Sequence, residues 1–339
     1  MPSHPLSWVH VTQPPPISNT KTILGGSAPH LQYCHMDYLP SPALQKLLLS
    51  AGHHLVCLFL AEILHSGYTS PEAMVTCLAA ATSIEFLNIR FQSPQSCPNR
   101  ASRHLPLLIH TILPTLIYFI FHGISEYLED FISQVDTPLL KDFYLNLFHQ
   151  LTFDVSQLHQ FICHAETLSA LNIARVDLED SYTTINLSHQ IQLSSFPRMR
   201  LSTSCNGSDW QLSFAAQACN SFSLTLSTLE TPIVHKDEFW SCRTGWEDDI
   251  KNRQWLELFH PFTFMKNLYL SKKFVPLVAP ALQQLIAERV TGMLPMLQNL
   301  YLDRLQPLGA IEEGIGQFVA TWQLYNHPMA IIPWDGQLG

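Results

Sequence analysis

Met265-Lys-Asn-Leu-Tyr-Leu270 and Leu297-Gln-Asn-Leu-Tyr-Leu302 carry one tetrapeptide, Asn-Leu-Tyr-Leu, at the same phase of one pattern, 32 residues apart. The pattern is apolar-x-x-apolar-x-apolar. Its second half alternates, as a strand with one buried face does. The same pattern recurs toward the N-terminus as Leu31/Cys34/Met36, Leu55/Leu58/Leu60, Ile84/Leu87/Ile89 and Leu116/Phe119/Phe121, then as Leu140/Phe143/Leu145 and Leu168/Leu171/Ile173. Successive starts are separated by 24, 29, 32, 24 and 28 residues, then by a gap of 97, then by 32. That gap is the length of about three such units. It holds two weaker candidates, near Met199–Leu201 and at Leu229–Val234, the second interrupted by Pro232.

Helix signals fill the intervals. Ser41-Pro42 before Ala43–Leu49 and Ser70-Pro71 before Glu72–Ala81 each place a capping hydroxyl ahead of a proline at the first helical position. Asp154-x-x-Gln157 and Ser208-x-x-Gln211 are capping-box-like starts for Val155–His164 and Asp209–Asn220. Ser125 precedes Glu126–Val135, whose Tyr127, Leu128, Phe131, Ile132 and Val135 form a helical apolar stripe. Pro276–Val290 and Ile311–Leu324 complete the series. Strand and helix therefore alternate at a period of 24–32 residues. This arrangement predicts an α/β leucine-rich-repeat-like curved solenoid of short parallel strands and helices. A short-strand doubly wound α/β fold is the alternative, but the Gly-rich phosphate loop it would carry after its first strand is not visible.

The period also explains the composition. Leucine makes up 51 of the 339 residues, charged residues only 13%, and the net charge is −9. One strand and one helix cannot bury their own apolar face, but stacked neighbours can, so leucines at fixed phase form one core without charges beside them. Repeats of this kind usually place Asn or Cys three residues after the last leucine, to bond turn backbone. Here those positions hold Leu39, Ile63, Gln92, Ile124, Phe148, Val176, Lys273 and Leu305. The turns must then satisfy their backbone otherwise, and irregular curvature is expected.

Residues 1–27 are Pro-rich and aperiodic and are read as a tail; residues 28–339 are read as one irregular solenoid with a C-terminal cap after Pro328, and no second domain is expected. Ser93–Arg103 reads as a loop between repeats. The N-terminus lacks a secretory signal. Leu47–Leu64 and Leu105–Phe121 are interrupted by Gly, Pro, His or Glu and suit buried strands better than membrane spans. The eight cysteines include no C-x-x-C pair and read as single thiols in a reducing, intracellular setting, cytoplasmic or nuclear. Eighteen scattered cations make no nucleic-acid footprint.

No catalytic constellation emerges, and neither an enzyme nor a cofactor is expected. His159 and Cys163 stand at i,i+4 on a predicted helix with His164 beside them, but zinc needs three or four ligands and no second pair is spaced to complete the set. A metal-dependent hydrolase built on this helix is accordingly the remotest alternative. Glu126/Glu129/Asp130 and Glu247/Asp248/Asp249 fall at helix starts, where carboxylates suit the dipole. Gly314-x-Gly316 lies inside a predicted helix, the wrong context for a dinucleotide loop.

The strands do offer a surface. Alternation turns the third, fifth and seventh positions of the pattern away from the core. These include Tyr33, His35, Phe59, Phe86, Asn88, Arg90, Tyr118, His122, Tyr144, Asn146, Asn267, Tyr269, Asn299 and Tyr301. Aromatic side chains with polar neighbours resemble a protein-recognition surface, and no metal or cofactor is needed for that role. Outward aromatics also suit β-strands in their own right.

Several phrases carry a family resemblance: Leu24-Gly-Gly-Ser-Ala-Pro-His-Leu-Gln-Tyr33, Ser70-Pro-Glu-Ala-Met-Val-Thr-Cys-Leu78, Ser125-Glu-Tyr-Leu-Glu-Asp130 and Gln254-Trp-Leu-Glu-Leu-Phe-His-Pro-Phe262. Pro280-Ala-Leu-Gln-Gln-Leu285, Leu294-Pro-Met-Leu-Gln-Asn-Leu300 and Glu313-Gly-Ile-Gly-Gln-Phe318 join them. Over about residues 20–335 the chain resembles the F-box/leucine-rich-repeat proteins of mushroom-forming fungi. The resemblance implies a non-enzymatic substrate-recognition region of a cullin-type ubiquitin ligase, with the repeats choosing a protein substrate. Members typically begin with an F-box that docks on the ligase adaptor. No such helical segment precedes the repeats here, so adaptor binding is expected only with an F-box upstream, and the chain corresponds to the recognition half. A truncated structural or interaction paralogue without a ligase role is the alternative.

Overall fold

The structure is a computed structural model that describes residues 8–11, 31–37, 52–97, 110–148, 156–179, 182–189, 197–204, 208–222, 226, 229–235, 249–271, 274–287, 294–303, 310–324 and 329–334. Within them the fold is mixed α/β, with a large, mostly parallel sheet and helices between its strands. The chain divides into two compact units, Met1–Ser169 and Ala170–Gly339.

In the first unit, β1 (Trp8–Val11), β2 (Tyr33–Asp37), β3 (Cys57–Ile63), β4 (Phe86–Phe91), β6 (Tyr118–Gly123) and β8 (Asp142–Leu147) pair in that order, all parallel. The remaining strands, β5 (Thr111–Ile112) and β7 (Val135–Asp136), form a separate parallel pair. Within the Pro-rich 1–27 stretch read as a tail, Trp8–Val11 thus joins the sheet; the rest of that stretch lies outside the described residues.

The sequence phase is visible in burial. Cys34, Met36, Leu58, Leu60, Leu87, Ile89, Phe119, Phe121, Phe143 and Leu145 are all buried. So are the leading residues Leu31, Leu55, Ile84, Leu116 and Leu140. At about 1.5–3 kcal/mol per fully buried side chain, this column is the main stabilising term of the unit. Gly123 ends β6 where no larger residue fits: a Cβ there would lie 2.6 Å from the Phe121 ring and 2.9 Å from Phe91.

Three helices behave largely as their signals predict. In α1 (Pro71–Leu78) the Ser70 hydroxyl accepts from the Ala73 N–H at 3.2 Å, with Pro71 at the first helical position. The next helix, α2 (Ser125–Ile132), buries Tyr127, Leu128, Phe131 and Ile132, but it stops before Val135, which is buried in β7 instead. The third, α3 (Ser156–His164), is capped across units of sequence. Glu129 on α2, 3% exposed, accepts from the N–H groups of Gln157 at 2.7 Å and Leu158 at 3.0 Å. Its carboxylate therefore serves the positive end of the next helix rather than its own. The expected cap Asp154 and the helix expected at Ala43–Leu49 lie outside the described residues. A short turn of helix, α4 (Glu166–Ser169), closes the unit.

In the second unit the spatial order is β11 (Met199–Ser204), β10 (Tyr182–Ser188), β9 (Ile173–Leu178), β12 (Thr231–His235), β13 (Asn267–Leu270), β14 (Asn299–Asp303) and β15 (Ala330–Trp334). Strand β10 runs antiparallel to both β9 and β11, so a meander interrupts the parallel series where the sequence pattern loses its period. The unit's helices are α5 (Ser208–Ser221), α6 (Asp249–Phe259), α7 (Val275–Ala287) and α8 (Ala310–Leu324).

Two sequence expectations need correction. The unit expected at Leu168/Leu171/Ile173 is displaced by three residues: Leu168 lies on α4, and the buried series is Leu171, Ala174 and Val176. Pro232 does not abolish its strand. It lies opposite Ala174 of β9, and pairing with β13 is confined to Ile233 and Val234, beyond the position that lacks an N–H.

A backbone joint recurs at the opposite end of the strands from the positions an asparagine ladder would occupy. At six strand starts two consecutive N–H groups donate to one carbonyl at the start of the preceding strand: Val56 and Cys57 to Gln32, Glu85 and Phe86 to Val56, and Ile117 and Tyr118 to Glu85. Lys141 and Asp142 do the same to Ile117, Lys266 and Asn267 to Glu230, and Gln298 and Asn299 to Lys266. Hydroxyls add to this in the first unit, where Ser83 donates to the His53 carbonyl at 2.8 Å and Thr115 to that of Ile84 at 2.8 Å.

Candidate binding face

The strand faces turned away from the buried columns are the candidate site, and the register places the predicted residues in rows. In the first unit one row runs Tyr33, Cys57, Phe86, Tyr118 and Asp142. The next runs His35, Phe59, Asn88, Ile120 and Tyr144, and a third joins Arg90, His122 and Asn146. Tyr118 and Arg90 are exposed; the other predicted residues of these rows are half-buried.

Four rings connect across the rows. His35 lies 5.5 Å from Phe59, Phe59 stacks on Phe86 at 4.6 Å, and Phe86 stacks on Tyr118 at 6.0 Å. Because the rings face one another along the sheet, their edges form a continuous apolar stripe over β2, β3, β4 and β6. The outermost ring, Tyr118, is 42% exposed. His35 Nε2 also meets Asp37 Oδ1 at 3.2 Å, which fixes that end of the stripe.

The third row is polar. Arg90 makes no ion pair or hydrogen bond among the described residues. Beside it, burial and the neighbouring guanidinium hold the His122 imidazole below its usual pKa, and His122 lies 4.6 Å from the Phe148 ring. Between stripe and arginine, the Asn88 side-chain oxygen is buried without a hydrogen-bond partner among the described residues. Beta strand β3 bulges opposite this point, with Glu62 at φ 52°, a left-handed value rare outside glycine.

In the second unit the predicted residues are engaged with one another. Asn299 donates to the Asn267 side-chain oxygen at 2.8 Å, and Asn267 to the Thr231 hydroxyl at 3.4 Å. Tyr269 stacks on Tyr301 at 4.1 Å and 5° and meets Trp334 edge-on at 5.3 Å. With Ile173, Ile233 and Trp334 it forms a closed apolar cluster that leaves Tyr269 only 7% exposed. Burial and the Tyr301 hydroxyl push the Tyr269 phenol up to about 12.

The same face holds a network that the period missed. Arg175 donates to Asp177 at 2.7 Å and its Nη2 lies 3.1 Å from His235 Nδ1. Asn186 donates to Asp177 at 2.9 Å, and Arg200 donates to Asn186 at 3.0 Å. The only sequence signal was the alternation of Tyr182-Thr-Thr-Ile-Asn-Leu-Ser188, which places Thr183, Ile185 and Leu187 inward.

His159 and Cys163 do meet on α3, with Sγ 3.7 Å from Nε2. Among the described residues no group of three or more His, Cys, Asp or Glu side chains is placed to hold a metal ion. Cys34, Cys57, Cys77, Cys97, Cys163 and Cys219 are free thiols, and burial pushes Cys34 up to about 12. The acidic group Glu247/Asp248/Asp249 falls on or beside residues outside those described. No helix among the described residues is long and apolar enough to cross a membrane.

No protein-family model matches the chain, and no curated protein matches it. Among solved structures it is similar to the leucine-rich repeat-containing protein LegL7 from Legionella pneumophila, at 14% identity over 89% of this chain and 85% of that one. The TM-score of 0.33 is too low for that likeness to carry an argument.

Proposed function

We propose that the chain is a non-enzymatic protein-recognition module whose strand faces form the contact surface of a leucine-rich-repeat-like solenoid. The observation that carries this is the ring stripe of the first unit: His35, Phe59, Phe86 and Tyr118 present a continuous apolar strip on a regular sheet, away from the core. Rings braced by their neighbours lose little side-chain freedom on contact, which favours recognition. The resemblance to mushroom-type F-box/leucine-rich-repeat proteins extends the reading to a substrate-recognition region of a cullin-type ubiquitin ligase, and adaptor binding then depends on an F-box upstream.

The test is affinity capture with three proteins: the unaltered chain, a strand-face variant (Phe59→Ser with Tyr118→Ser) and a helix-side control (Thr76→Lys). A partner held by the first and third and lost by the second supports the reading, given equal melting curves. Equal capture by all three would overturn it. The ligase extension is tested separately, by co-purification of a cullin-ligase adaptor with the chain bearing an upstream F-box.

A further inference from the structure

The first unit's face is not uniform, and its asymmetry says what lies on it. The stripe of ring edges is apolar and crosses β2 to β6. Four residues along β4 from Phe86 stands Arg90, exposed and without an ion-pair partner among the described residues. Beside Arg90, burial and the guanidinium itself lower the His122 pKa, and the carboxylates of the adjoining strands, Asp37 on β2 and Glu62 at the β3 bulge, make no ion pair with Arg90 among the described residues.

Resting on the protein-recognition reading, we propose that this face takes an extended peptide segment carrying apolar side chains and, four residues further on, a carboxylate. Extended chain rises about 3.3 Å per residue, the same as β4 beneath it, so a peptide aligned with β4 keeps step with Phe86, Asn88 and Arg90. Its apolar side chains cover Phe86 and the flanking edges of Phe59 and Tyr118, the part of the stripe that β4 crosses. The carboxylate takes the Arg90 fork, the pairing its planar donors suit best. The chain's net charge of −9 opposes long-range attraction of acidic partners. Selectivity is therefore a short-range effect, set by Arg90 once the segment is seated.

The experiment uses the full chain and two labelled octapeptides, Gly-Leu-Leu-Ser-Ser-Ser-Glu-Gly and its Glu→Lys counterpart, followed by fluorescence polarisation at low and physiological salt. The acidic peptide is expected to bind about fivefold more tightly, the size of an exposed ion pair. Arg90→Glu reverses the preference, and Phe59→Ser with Tyr118→Ser removes binding of both. Arg90 is exposed, so its variant folds, which circular dichroism confirms. Equal affinity for the two peptides, or a preference that Arg90→Glu leaves in place, overturns the acidic segment. Failure of both peptides to bind overturns the extended-peptide occupant. In either case the broader reading stands if the strand-face variant still loses its captured partner, and falls only if that variant captures as the unaltered chain does.

Discussion

The two units share a strand pattern and differ in what their outward faces do with it. In the first, six strands run parallel, the rings stack in an open stripe, and Arg90 has no ion-pair partner among the described residues. In the second, the antiparallel β10 brings Asn186 between Arg175 and Arg200, and the cationic side chains are drawn into a network with Asp177 and His235. The rings of Tyr269 and Tyr301 are closed off by Trp334. An outward phase decides which way a side chain leaves the strand; its neighbours decide whether it is free to meet anything else.

That contrast can be broken from the second unit first. Removing Trp334 opens the apolar cluster, and Trp334→Ala should cost about 3–4 kcal/mol by chemical denaturation, as large-to-small core changes do. The equivalent loss of an exposed ring, Tyr118→Ala, should cost under about 1 kcal/mol, within the range of surface substitutions. Similar costs for the two would dissolve the distinction between a closed and an open face. Asp177→Ala leaves Arg175 without its carboxylate; with the pair partly reached by water, a loss of about 2–3 kcal/mol is expected, below the full cost of a buried pair. Stability unmoved by that change would make the network ornamental.

Smaller effects sharpen the comparison. Glu129→Ala strips the cap from α3 and should cost about 1–2 kcal/mol, read as faster amide exchange at Gln157 and Leu158. Two glycines respond oppositely. Gly123→Ala in the first unit forces a methyl into the Phe121 and Phe91 rings and costs about 1–3 kcal/mol. Gly316→Ala on α8 in the second meets open space and stabilises by up to about 1 kcal/mol.

The smallest effect is protonic. His122 is depressed below the ordinary pKa of 6.5, so the unfolded chain binds its proton first as pH falls. This histidine's contribution to stability is therefore present above pH 6.5 and declines as pH drops through the window just beneath it. Arg90→Gln removes one of the two causes and should raise the His122 titration point seen by NMR. An unchanged titration would separate the two side chains electrostatically.

Much of the architecture was legible because burial has a period. Leu31, Leu55, Ile84, Leu116, Leu140, Met265 and Leu297 each lead into a strand at the expected offset. The exception at Leu168 has a plain cause: the true series there uses Ala174, too small to announce a core position, while Leu168 supplied a false start from a helix. The antiparallel turn at β10 was not legible, because strand direction depends on the length and path of the connection rather than on apolar spacing. At the candidate face, alternation placed the side chains on the correct side but carried no account of their partners. Arg175 and His235 are 60 residues apart, and Trp334 reaches Tyr269 from another strand. Contacts of that range leave no trace in local spacing.

The carbonyl shared at six of the strand starts has a consequence for how the chain tolerates change. One oxygen receiving two adjacent N–H groups is a pivot: at six strands it suspends the strand start from the one before while asking nothing of any side chain. Units of 24 and of 32 residues can hang from the same kind of joint. The stretch beyond β4, where Ser93–Arg103 is inserted, enlarges one unit, and yet Ile117 and Tyr118 still find the Glu85 carbonyl. Length is thus absorbed in the connections, and the rows that start at these joints, such as Cys57, Phe86 and Tyr118, stay aligned across units of different length.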